Sequence, residues 1–352
     1  MKNNIRIEGR DVGAGEPCFI IGEIGSNHCH DKNIVKELID AAATAKLDAV
    51  KFQIYDPKEA FSANEQTSDV GLEHLYGRRP WWEVARDHIL MPRDWFGEMF
   101  EYAREKGLIP FSTIHRKEDL EFLMPFDPPV IKIASIDLHF HHLINDLLTF
   151  EMPFLVSTGM AYLSEIDETV RLFEMAERRD LVLMHCVSCY PPKPEEMNIR
   201  NITALQNAFD VPIGYSDHSD KNFSAFAAVT LGAVVIEKHI TLDRMAFGPD
   251  HPFALEPDGM VDLSTGIREI EASLGRRARR VNGDENKARL MIRRGLVTRV
   301  PLKKGEAISL EKIKFARPGT GITTNEFKYV SGRTVNRDIP SETVLQFEML
   351  NN

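Results

Sequence analysis

The sequence predicts an α/β fold in which a (β/α)8 TIM barrel is followed by a small β-rich domain. Segments with apolar residues at helical spacing, among them 34–46, 95–107 and 165–179, alternate with short apolar runs of strand length. There are eight such runs before residue 281, the number of strands that closes this type of barrel. The runs lie at 18–25, 48–54, 108–114, 130–135, 153–158, 181–187, 211–217 and 233–239.

An open, doubly wound sheet is the other fold that alternates strands with helices. That fold carries a G-x-G-x-x-G phosphate-binding turn after its first strand. The first run here ends in "EIGSNH", which contains no such turn, so the closed barrel is favoured.

The last part of the chain differs in character from the barrel segment. A basic run at 276–280 and the polar residues Asn282, Gly283 and Asp284 indicate a linker. Beyond it, short β-like pieces alternate with turns. We therefore predict a barrel domain at 1–281, a linker at 282–294 and a β-rich domain at 295–352.

Composition narrows the class of function. With 352 residues, of which 43% are hydrophobic, the chain can bury one large core and a smaller one. The formal net charge of −10 argues against nucleic-acid binding, because a phosphate-backbone binder needs a basic surface. No run reaches the roughly 18 apolar residues of a membrane span, and the N-terminal residues do not resemble a secretion signal. We expect a cytoplasmic protein.

Polar side chains are concentrated at one end of the predicted strands. The runs begin mostly with apolar residues and end in polar or ionisable ones, from Glu23 in the first to Glu237 and His239 in the last. Residues at i and i+2 on a strand share a face, so Lys51 and Gln53 point together. Because catalytic groups of such barrels lie at the carboxyl ends of the strands, the pattern predicts a functional site there.

Two histidines of these strand ends suggest a metal site. His218 directly follows the seventh run and His239 ends the eighth, and these two runs are neighbours in a barrel. Two neutral imidazoles together with waters suit a divalent transition metal such as Mn²⁺. The alternative is that each histidine is merely hydrogen-bonded at the rim, and the residues alone leave both open.

Two lysines lie inside runs that otherwise look buried. With the serine and threonine hydroxyls at the same strand ends, Lys51 and Lys132 could bind a phosphate-bearing anion. The alternatives are a pair of solvated lysines, or one lysine that forms a Schiff base as in barrel aldolases. Two lysines beside two histidines favour anion binding.

Several motifs occur in a fixed order: "EIGSNH", "VKFQ", "KIASIDL", "STGM", "HCVSCYP", "GYSDHS", "IEKHITLD" and "GPDHPFALEP". In this order they resemble the sialic acid synthase family. The tail, with "KKGEAI" and "RPGTGI", resembles that family's C-terminal antifreeze-like (β-clip) domain. The resemblance implies an enzyme that condenses phosphoenolpyruvate with an N-acetylmannosamine-type aldose to give a nonulosonic acid and phosphate.

The resemblance also implies roles for single residues. A divalent metal, Mn²⁺ or else Mg²⁺ or Co²⁺, would bind His218 and His239. The catalytic residues would be Glu23, Lys51 and Lys132, with Glu23 near the reacting carbons. The substrate-binding residues would be Gln53, Thr113, Ser135, Asp137, Ser157, Ser188, Tyr190, Ser216, Asp250 and Arg317. In this family the arginine reaches the sugar from the partner subunit of a domain-swapped homodimer.

The chain departs from the family pattern near the expected sugar end. Ile114 and His115 stand where a Pro-Phe pair is common, Ser188 stands at a position that has asparagine in other members, and segment 57–93 matches poorly. The sugar therefore stays open among legionaminic, pseudaminic and spore-coat types.

Two other functions have to be weighed. One is the Schiff-base lysine aldolase on the same barrel. The other is a non-catalytic carbohydrate- or ice-binding protein, which would have no need of two strand-end lysines and two histidines.

Overall fold

The computed structural model describes residues 4–276 and 278–351. The chain divides into two compact units, Met1–Gly275 and Arg276–Asn352. The first unit thus ends before the barrel limit at 281 that the sequence suggests. The segment expected to be a linker, 282–294, contains the helix Gly283–Ile292.

Eight parallel strands close into the predicted barrel, in which each strand pairs with the next and the last pairs with the first. A two-stranded hairpin (β1, β2) precedes the barrel strands (β3–β10), and a two-stranded sheet (β11, β12) lies in the second unit. In chain order the strands are Ile5–Ile7, Arg10–Val12, Phe19–Glu23, Ala49–Ile54, Ile109–Ile114, Ile131–Ile133, Phe154–Ser157, Leu181–Cys186, Ile213–Asp217, Val235–His239, Gly295–Thr298 and Ile313–Ala316.

Helices follow the barrel strands and cover the outside of the sheet. In chain order α1–α13 are Lys32–Thr44, Pro57–Ala60, Glu73–Tyr76, Trp81–Val84, Phe96–Glu105, Lys117–Leu123, His141–Leu147, Leu163–Met175, Asn201–Ala208, Phe223–Thr230, Pro257–Leu274, Gly283–Ile292 and Phe327–Val330. All eight predicted strands and the three predicted helices are present. The helix α5 ends before Gly107, whose φ of 79° fits the expected left-handed C-terminal position.

The amino-terminal end of the barrel is filled with apolar side chains. Ile5, Ile7 and Val12 of the hairpin pack against inward-facing residues of the barrel strands, such as Phe111 and Val235. The outward-facing residues of the same strands pack against the helices in a separate core. This apolar plug closes the amino-terminal end of the barrel. The other end, where the strands have their carboxyl ends, is the mouth of the barrel.

The inward-facing positions change from apolar to polar along single strands. In β10, Val235 belongs to the apolar plug, whereas Glu237 and His239, two and four residues later, are buried polar residues. In β4, Ala49 gives way to Lys51 in the same manner. The period of two therefore carries the chain from a packed core to a polar site on one face of each strand.

The second unit has a core of its own. Ten buried apolar residues, among them Leu296, Ile313 and Leu345, pack together around β11 and β12. Within the described residues, no helix is long and apolar enough to cross a membrane.

Candidate active site

The run 233–239 ends on three ionisable residues that point to opposite faces of β10. Lys238 faces outward, where its Nζ contacts Asp217 Oδ2 at 2.9 Å and the carbonyl oxygens of Ser219 and Lys221 at 2.7 and 2.9 Å. Glu237 and His239 have the opposite parity and face into the barrel mouth. Lys238 is thus part of the scaffold, and its two neighbours belong to the site.

Two carboxylates flank the ammonium group of Lys51. Its Nζ lies 2.8 Å from Glu23 Oε2 and 3.6 Å from Glu237 Oε1, and it donates to Thr113 Oγ1 at 2.9 Å. Gln53 Nε2 donates to the other oxygen of Glu23 at 2.7 Å. The sheet register explains the cluster, because β3 pairs Glu23 with Lys51 and β4 pairs the next inward residue, Gln53, with Thr113.

The second lysine lies two strands further round the barrel. Lys132 Nζ donates to Ser157 Oγ at 2.6 Å and to the carbonyl oxygen of Ile133 at 3.0 Å. These contacts use two of its three N–H groups, and the third has no hydrogen-bond acceptor among the residues that the structure describes. Ser216 Oγ donates to Glu237 Oε1 at 3.1 Å, which links the seventh and eighth barrel strands to the same cluster.

Burial and neighbouring charges shift the pKa values of the two carboxyl groups in opposite directions. Burial raises the pKa of Glu23, and the neighbouring Lys51 only partly opposes this effect. Burial would also raise the pKa of Glu237, but Lys51 and Lys132 together lower it to about 2. Two carboxyl groups with pKa values pushed apart are typical of an acid–base site, in which one group stays ionised and the other can exchange a proton.

The two lysines also differ in their electrostatics. Burial acts to lower the pKa of Lys51, but Glu23 and Glu237 more than offset this and raise it. Burial lowers the pKa of Lys132, and Glu237 only partly opposes this effect, since no carboxylate of the described residues forms an ion pair with Lys132. An incoming anion would therefore supply the countercharge that Lys132 lacks.

The imidazoles of His218 and His239 meet at the mouth, with ring centroids 5.4 Å apart. Tyr190 lies 4.4 Å from the His218 ring, and Phe253 lies 5.1 Å from the His239 ring. Burial and the neighbouring histidine lower the pKa of His218 to about 3, so its ring is neutral, as a metal ligand must be.

The chemistry of these side chains fits a pair of metal ligands. His239 Nδ1 is buried and has no hydrogen-bond partner in residues 4–276 and 278–351; it lies 3.7 Å from Asp250 Oδ2, which is too long for a hydrogen bond. Among the described residues, no group of three or more His, Cys, Asp or Glu side chains is arranged to hold a metal. Two imidazoles would thus provide only part of a coordination sphere and leave positions for substrate and water.

Asp250 is fixed by the loop after β3. Ser26 donates to Asp250 Oδ2 through its hydroxyl at 2.8 Å and through its backbone N–H at 3.3 Å. Gly25 adopts a φ of 51°, and a Cβ there would lie 3.1 Å from the same oxygen and 3.3 Å from the His239 ring. The glycine in "EIGSNH" is therefore required by the close approach of this loop to the site.

Two serines meet beside the turn that follows β7. The backbone N–H of Gly159 donates to Ser135 Oγ at 3.0 Å. Ser188 Oγ is buried and forms no hydrogen bond that meets the distance and angle criteria within the described residues, and a Cβ on Gly159 would collide with the hydroxyls of both serines. The two serine hydroxyls thus pack tightly against the glycine and leave no room for a side chain at position 159.

The structure places the remaining predicted residues as follows. Asp137 follows β6, and its Oδ2 lies 2.6 Å from His115 Nδ1. Tyr190 is more than half exposed at the mouth, beside the histidine pair. Arg317 lies in the second unit and is exposed.

Glu237 is a site residue to which sequence reasoning assigns no role. It shares its strand face with His239, and this parity is a signal that could have identified it. Its contact with Lys51 joins residues of two strands that do not pair with each other, and no pattern along the chain shows that contact.

Comparison with known proteins agrees with these features. Residues 38–279 match the NeuB family, and residues 293–351 match the SAF domain. The chain belongs to the NeuB family. The resemblance to sialic acid synthases with an antifreeze-like domain is thereby confirmed.

Named relatives of this NeuB-family protein are synthases of nonulosonic acids. It is similar to pseudaminic acid synthase of Campylobacter jejuni, with 33% identity over 91% of this chain and 93% of that protein. It is similar to N,N'-diacetyllegionaminic acid synthase of Legionella pneumophila, with 31% identity over 99% of both chains. A crystal structure of N-acetylneuraminic acid synthetase from Leptospira borgpetersenii, in complex with citrate, has 30% identity and a TM-score of 0.73, and covers 82% of this chain and 95% of that chain.

Proposed function

We propose that this protein condenses phosphoenolpyruvate with an N-acetylmannosamine-type aldose to give a nonulosonic acid and phosphate. The observation that carries the proposal is the placement of Lys51 and Lys132, with the hydroxyls of Thr113 and Ser157, on the inner face of four successive strands. An acidic chain needs such a local basic site to bind a ligand with a carboxylate and a phosphate. The names of the relatives support the reaction class.

Each substrate has its own set of residues in the proposal. Lys51, Lys132 and the hydroxyls of Thr113, Ser135, Ser157 and Ser216 bind the carboxylate and the phosphate of phosphoenolpyruvate. The residues proposed to contact the sugar are Gln53, Asp137, Ser188, Tyr190 and Asp250.

The chemistry requires one carbon–carbon bond and the loss of phosphate. C3 of phosphoenolpyruvate attacks the aldehyde carbon of the sugar, the aldehyde oxygen takes a proton, and water adds at C2. The resulting tetrahedral intermediate releases phosphate. Glu23 is the group proposed to handle a proton, because its pKa is raised by burial while Glu237 stays ionised.

A divalent metal forms part of the proposal. His218 and His239 would hold it, with Mn²⁺ expected and Mg²⁺ or Co²⁺ as alternatives. When bound, such an ion acts as a Lewis acid on a carbonyl oxygen.

A domain-swapped homodimer is proposed as the functional form, in which Arg317 of one chain reaches the sugar site of the other. The linker helix Gly283–Ile292 supports association, because Leu290, Met291 and Ile292 are each more than half exposed in the single chain. Mixing an inactive Arg317→Ala chain with an inactive Lys132→Met chain tests this, since a swapped dimer restores part of the activity. No recovery in a mixed dimer would contradict it.

A phosphate-release screen tests the proposed function. The protein is incubated with phosphoenolpyruvate, Mn²⁺ and each member of a panel of 2-acetamido aldoses, and the mass of the product is determined by mass spectrometry. We expect phosphate release that depends on one of the sugars and is lost in Lys51→Met, whereas Lys58→Met, at an exposed lysine, keeps it. Absence of turnover with every sugar would contradict the proposal.

The lysine aldolase is retained as a second candidate because burial lowers the pKa of Lys132, as a Schiff-base lysine requires. Its Nζ, however, is held by Ser157 and a carbonyl oxygen. Borohydride trapping with pyruvate separates the two functions, since only the aldolase gains the mass of a reduced adduct.

A further inference from the structure

A buried ion pair lies directly behind the two histidines of the proposed metal site. Lys238 precedes His239 on β10, and Asp217 precedes His218 at the end of β9. Lys238 and Asp217 are partners in the sheet register, and their side chains are 1% and 0% exposed. Because consecutive residues of a strand point to opposite faces, this pair joins β9 to β10 on the outer face while the imidazoles meet at the inner face.

The ammonium group of Lys238 also holds the turn that follows His218. Besides its contact with Asp217 Oδ2 at 2.9 Å, the Nζ donates to the carbonyl oxygens of Ser219 and Lys221 at 2.7 and 2.9 Å. An ammonium group has three N–H groups, so these three short contacts use all of them. The residues on both sides of His218 are thereby tied to β10.

The carboxylate of Asp217 is fixed from a third side, by the start of α10. Its Oδ2 accepts a hydrogen bond from the hydroxyl of Ser224 at 2.7 Å, and its Oδ1 accepts one from the backbone N–H of Ser219 at 2.8 Å. All three residues are buried. A buried polar network whose members are satisfied is rigid, so the end of β9 has a fixed position relative to β10.

The two imidazole rings have few hydrogen bonds of their own to orient them. His218 Nδ1 lies 3.4 Å from the carbonyl oxygen of Val187, which is long for a hydrogen bond. His239 Nδ1 has no hydrogen-bond partner among the residues at 4–276 and 278–351. Metal-binding histidines are usually oriented by a hydrogen bond from the second ring nitrogen. In this protein the positions of the rings therefore depend on the backbone that carries them.

The separation of the two imidazoles has to be accurate for a metal to bind, because metal–ligand distances must be met to within about 0.2 Å. We propose that Lys238, acting with Asp217, is the positioning residue that sets this separation for a divalent cation. The inference rests on the proposed function, whose metal site it extends to residues on the outer face of the barrel. Lys238 contacts neither metal nor substrate; it acts through the backbone of His218 and His239.

The test measures Mn²⁺ binding, rather than turnover, in protein from which metal has been removed with EDTA. Free Mn²⁺ is followed by electron paramagnetic resonance during a titration, and the binding is referred to the folded fraction given by circular dichroism. We expect Lys238→Met to weaken the Mn²⁺ affinity by about tenfold to a hundredfold, as loss of a group that supports metal ligands typically does. The affinity for phosphoenolpyruvate in the same metal-free sample stays within about twofold of the wild-type value.

A double variant separates positioning from stability. Lys238→Met alone leaves Asp217 as an unpaired buried charge and lowers the stability of the barrel. In Lys238→Met combined with Asp217→Asn no buried charge is left unpaired, so the urea midpoint rises toward the wild-type value. The bonds to the carbonyl oxygens of Ser219 and Lys221 are still missing, and we expect the Mn²⁺ affinity to remain at least tenfold below that of the wild type.

Asp48→Asn is the matched control. Asp48 is a buried carboxylate that directly precedes β4, at the amino-terminal end of the barrel, and it pairs with Arg10 and Arg268. It also accepts a hydrogen bond from the backbone N–H of Ile20 at 2.7 Å. The substitution weakens a buried ion-pair network remote from the histidines, so it lowers the urea midpoint and leaves the Mn²⁺ affinity within about twofold of the wild-type value.

The outcomes separate this inference from the function beneath it. Wild-type Mn²⁺ affinity in the double variant, or a loss in Asp48→Asn as large as that in Lys238→Met, overturns the inference and leaves the proposed function standing. Absence of Mn²⁺ binding by the wild type overturns the proposed metal site and the inference together.

Discussion

Two buried lysines on strands of one barrel are expected to respond in opposite ways to the same substitution. Lys132 points into the mouth, and in the described part of the chain its third N–H has no acceptor and no carboxylate forms an ion pair with it. Lys238 points outward and forms an ion pair with Asp217, whose side chain is fully buried. Replacement by methionine removes the charge from each while keeping similar length and volume.

For Lys132→Met we expect loss of ligand binding with little loss of stability. Removing one partner of a buried, hydrogen-bonded charge pair costs about 2–5 kcal/mol of binding, roughly a thirtyfold to several-thousandfold weaker affinity for phosphoenolpyruvate. In the free protein the substitution removes a desolvated charge, so the free energy of unfolding changes by about 1 kcal/mol or less, or rises.

For Lys238→Met the expected order is reversed. The substitution leaves Asp217 as an uncompensated buried charge, which costs about 3–5 kcal/mol of unfolding free energy. Because Lys238 does not face the mouth, the folded fraction binds phosphoenolpyruvate within about twofold of the wild-type affinity.

Isothermal titration with phosphoenolpyruvate and urea unfolding followed by circular dichroism measure the two effects in the same samples. If Lys132→Met destabilises the barrel as much as Lys238→Met and still binds phosphoenolpyruvate normally, Lys132 is a scaffold residue and the reasoning fails.

Three further changes have defined outcomes. Glu23→Gln keeps the shape of the side chain and leaves Lys51 paired with Glu237, so KM for phosphoenolpyruvate should stay within about threefold. Because the amide cannot exchange a proton, kcat should fall by about 10²–10⁴-fold. An unchanged kcat would show that Glu23 does not take part in proton transfer. Chelation with EDTA should abolish turnover, and added Mn²⁺ should restore it. Elemental analysis should find no Mn²⁺ retained by His239→Ala. Full activity after exhaustive chelation would contradict the metal proposal. Burial, aided by His30, lowers the pKa of His28 to about 4, so the folded state favours the neutral imidazole. The contribution of His28 to the free energy of unfolding is complete above its unfolded-state pKa near 6.5, and about 3 kcal/mol of it is lost as the pH falls to 4. In urea unfolding at several pH values, the free energy of unfolding should fall less steeply with decreasing pH in His28→Asn than in the wild type. Equal slopes in the two proteins would contradict the role given to His28.

The barrel itself could be predicted because its signal is local. Each barrel strand coincides with one apolar run, and the polar residue types at the strand ends mark the functional end of the barrel in the sequence. For the same reason the sequence could predict Lys51, Lys132, His218 and His239 as site residues. Strand parity and the order of strands in a closed sheet bring them to the same end of the barrel.

Other features depend on contacts between distant parts of the chain. The hairpin strands Ile5–Ile7 and Arg10–Val12 have three residues each, too few for a period to be detected, yet they close the lower end of the barrel. The charge state of Glu237 depends on lysines of other strands. The His115–Asp137 pair requires the register of β5 and β6, which the sequence does not reveal.

The central claim is that phosphoenolpyruvate, held by the strand-end lysines, forms the new carbon–carbon bond and then loses phosphate from C2. Phosphoenolpyruvate labelled with ¹⁸O at the bridging oxygen, mixed with the sugar and the enzyme, tests this directly by mass spectrometry of the phosphate. We expect every phosphate released to carry the label, in an amount equal to the nonulosonic acid formed. Unlabelled phosphate, or labelled phosphate released without sugar, would contradict it.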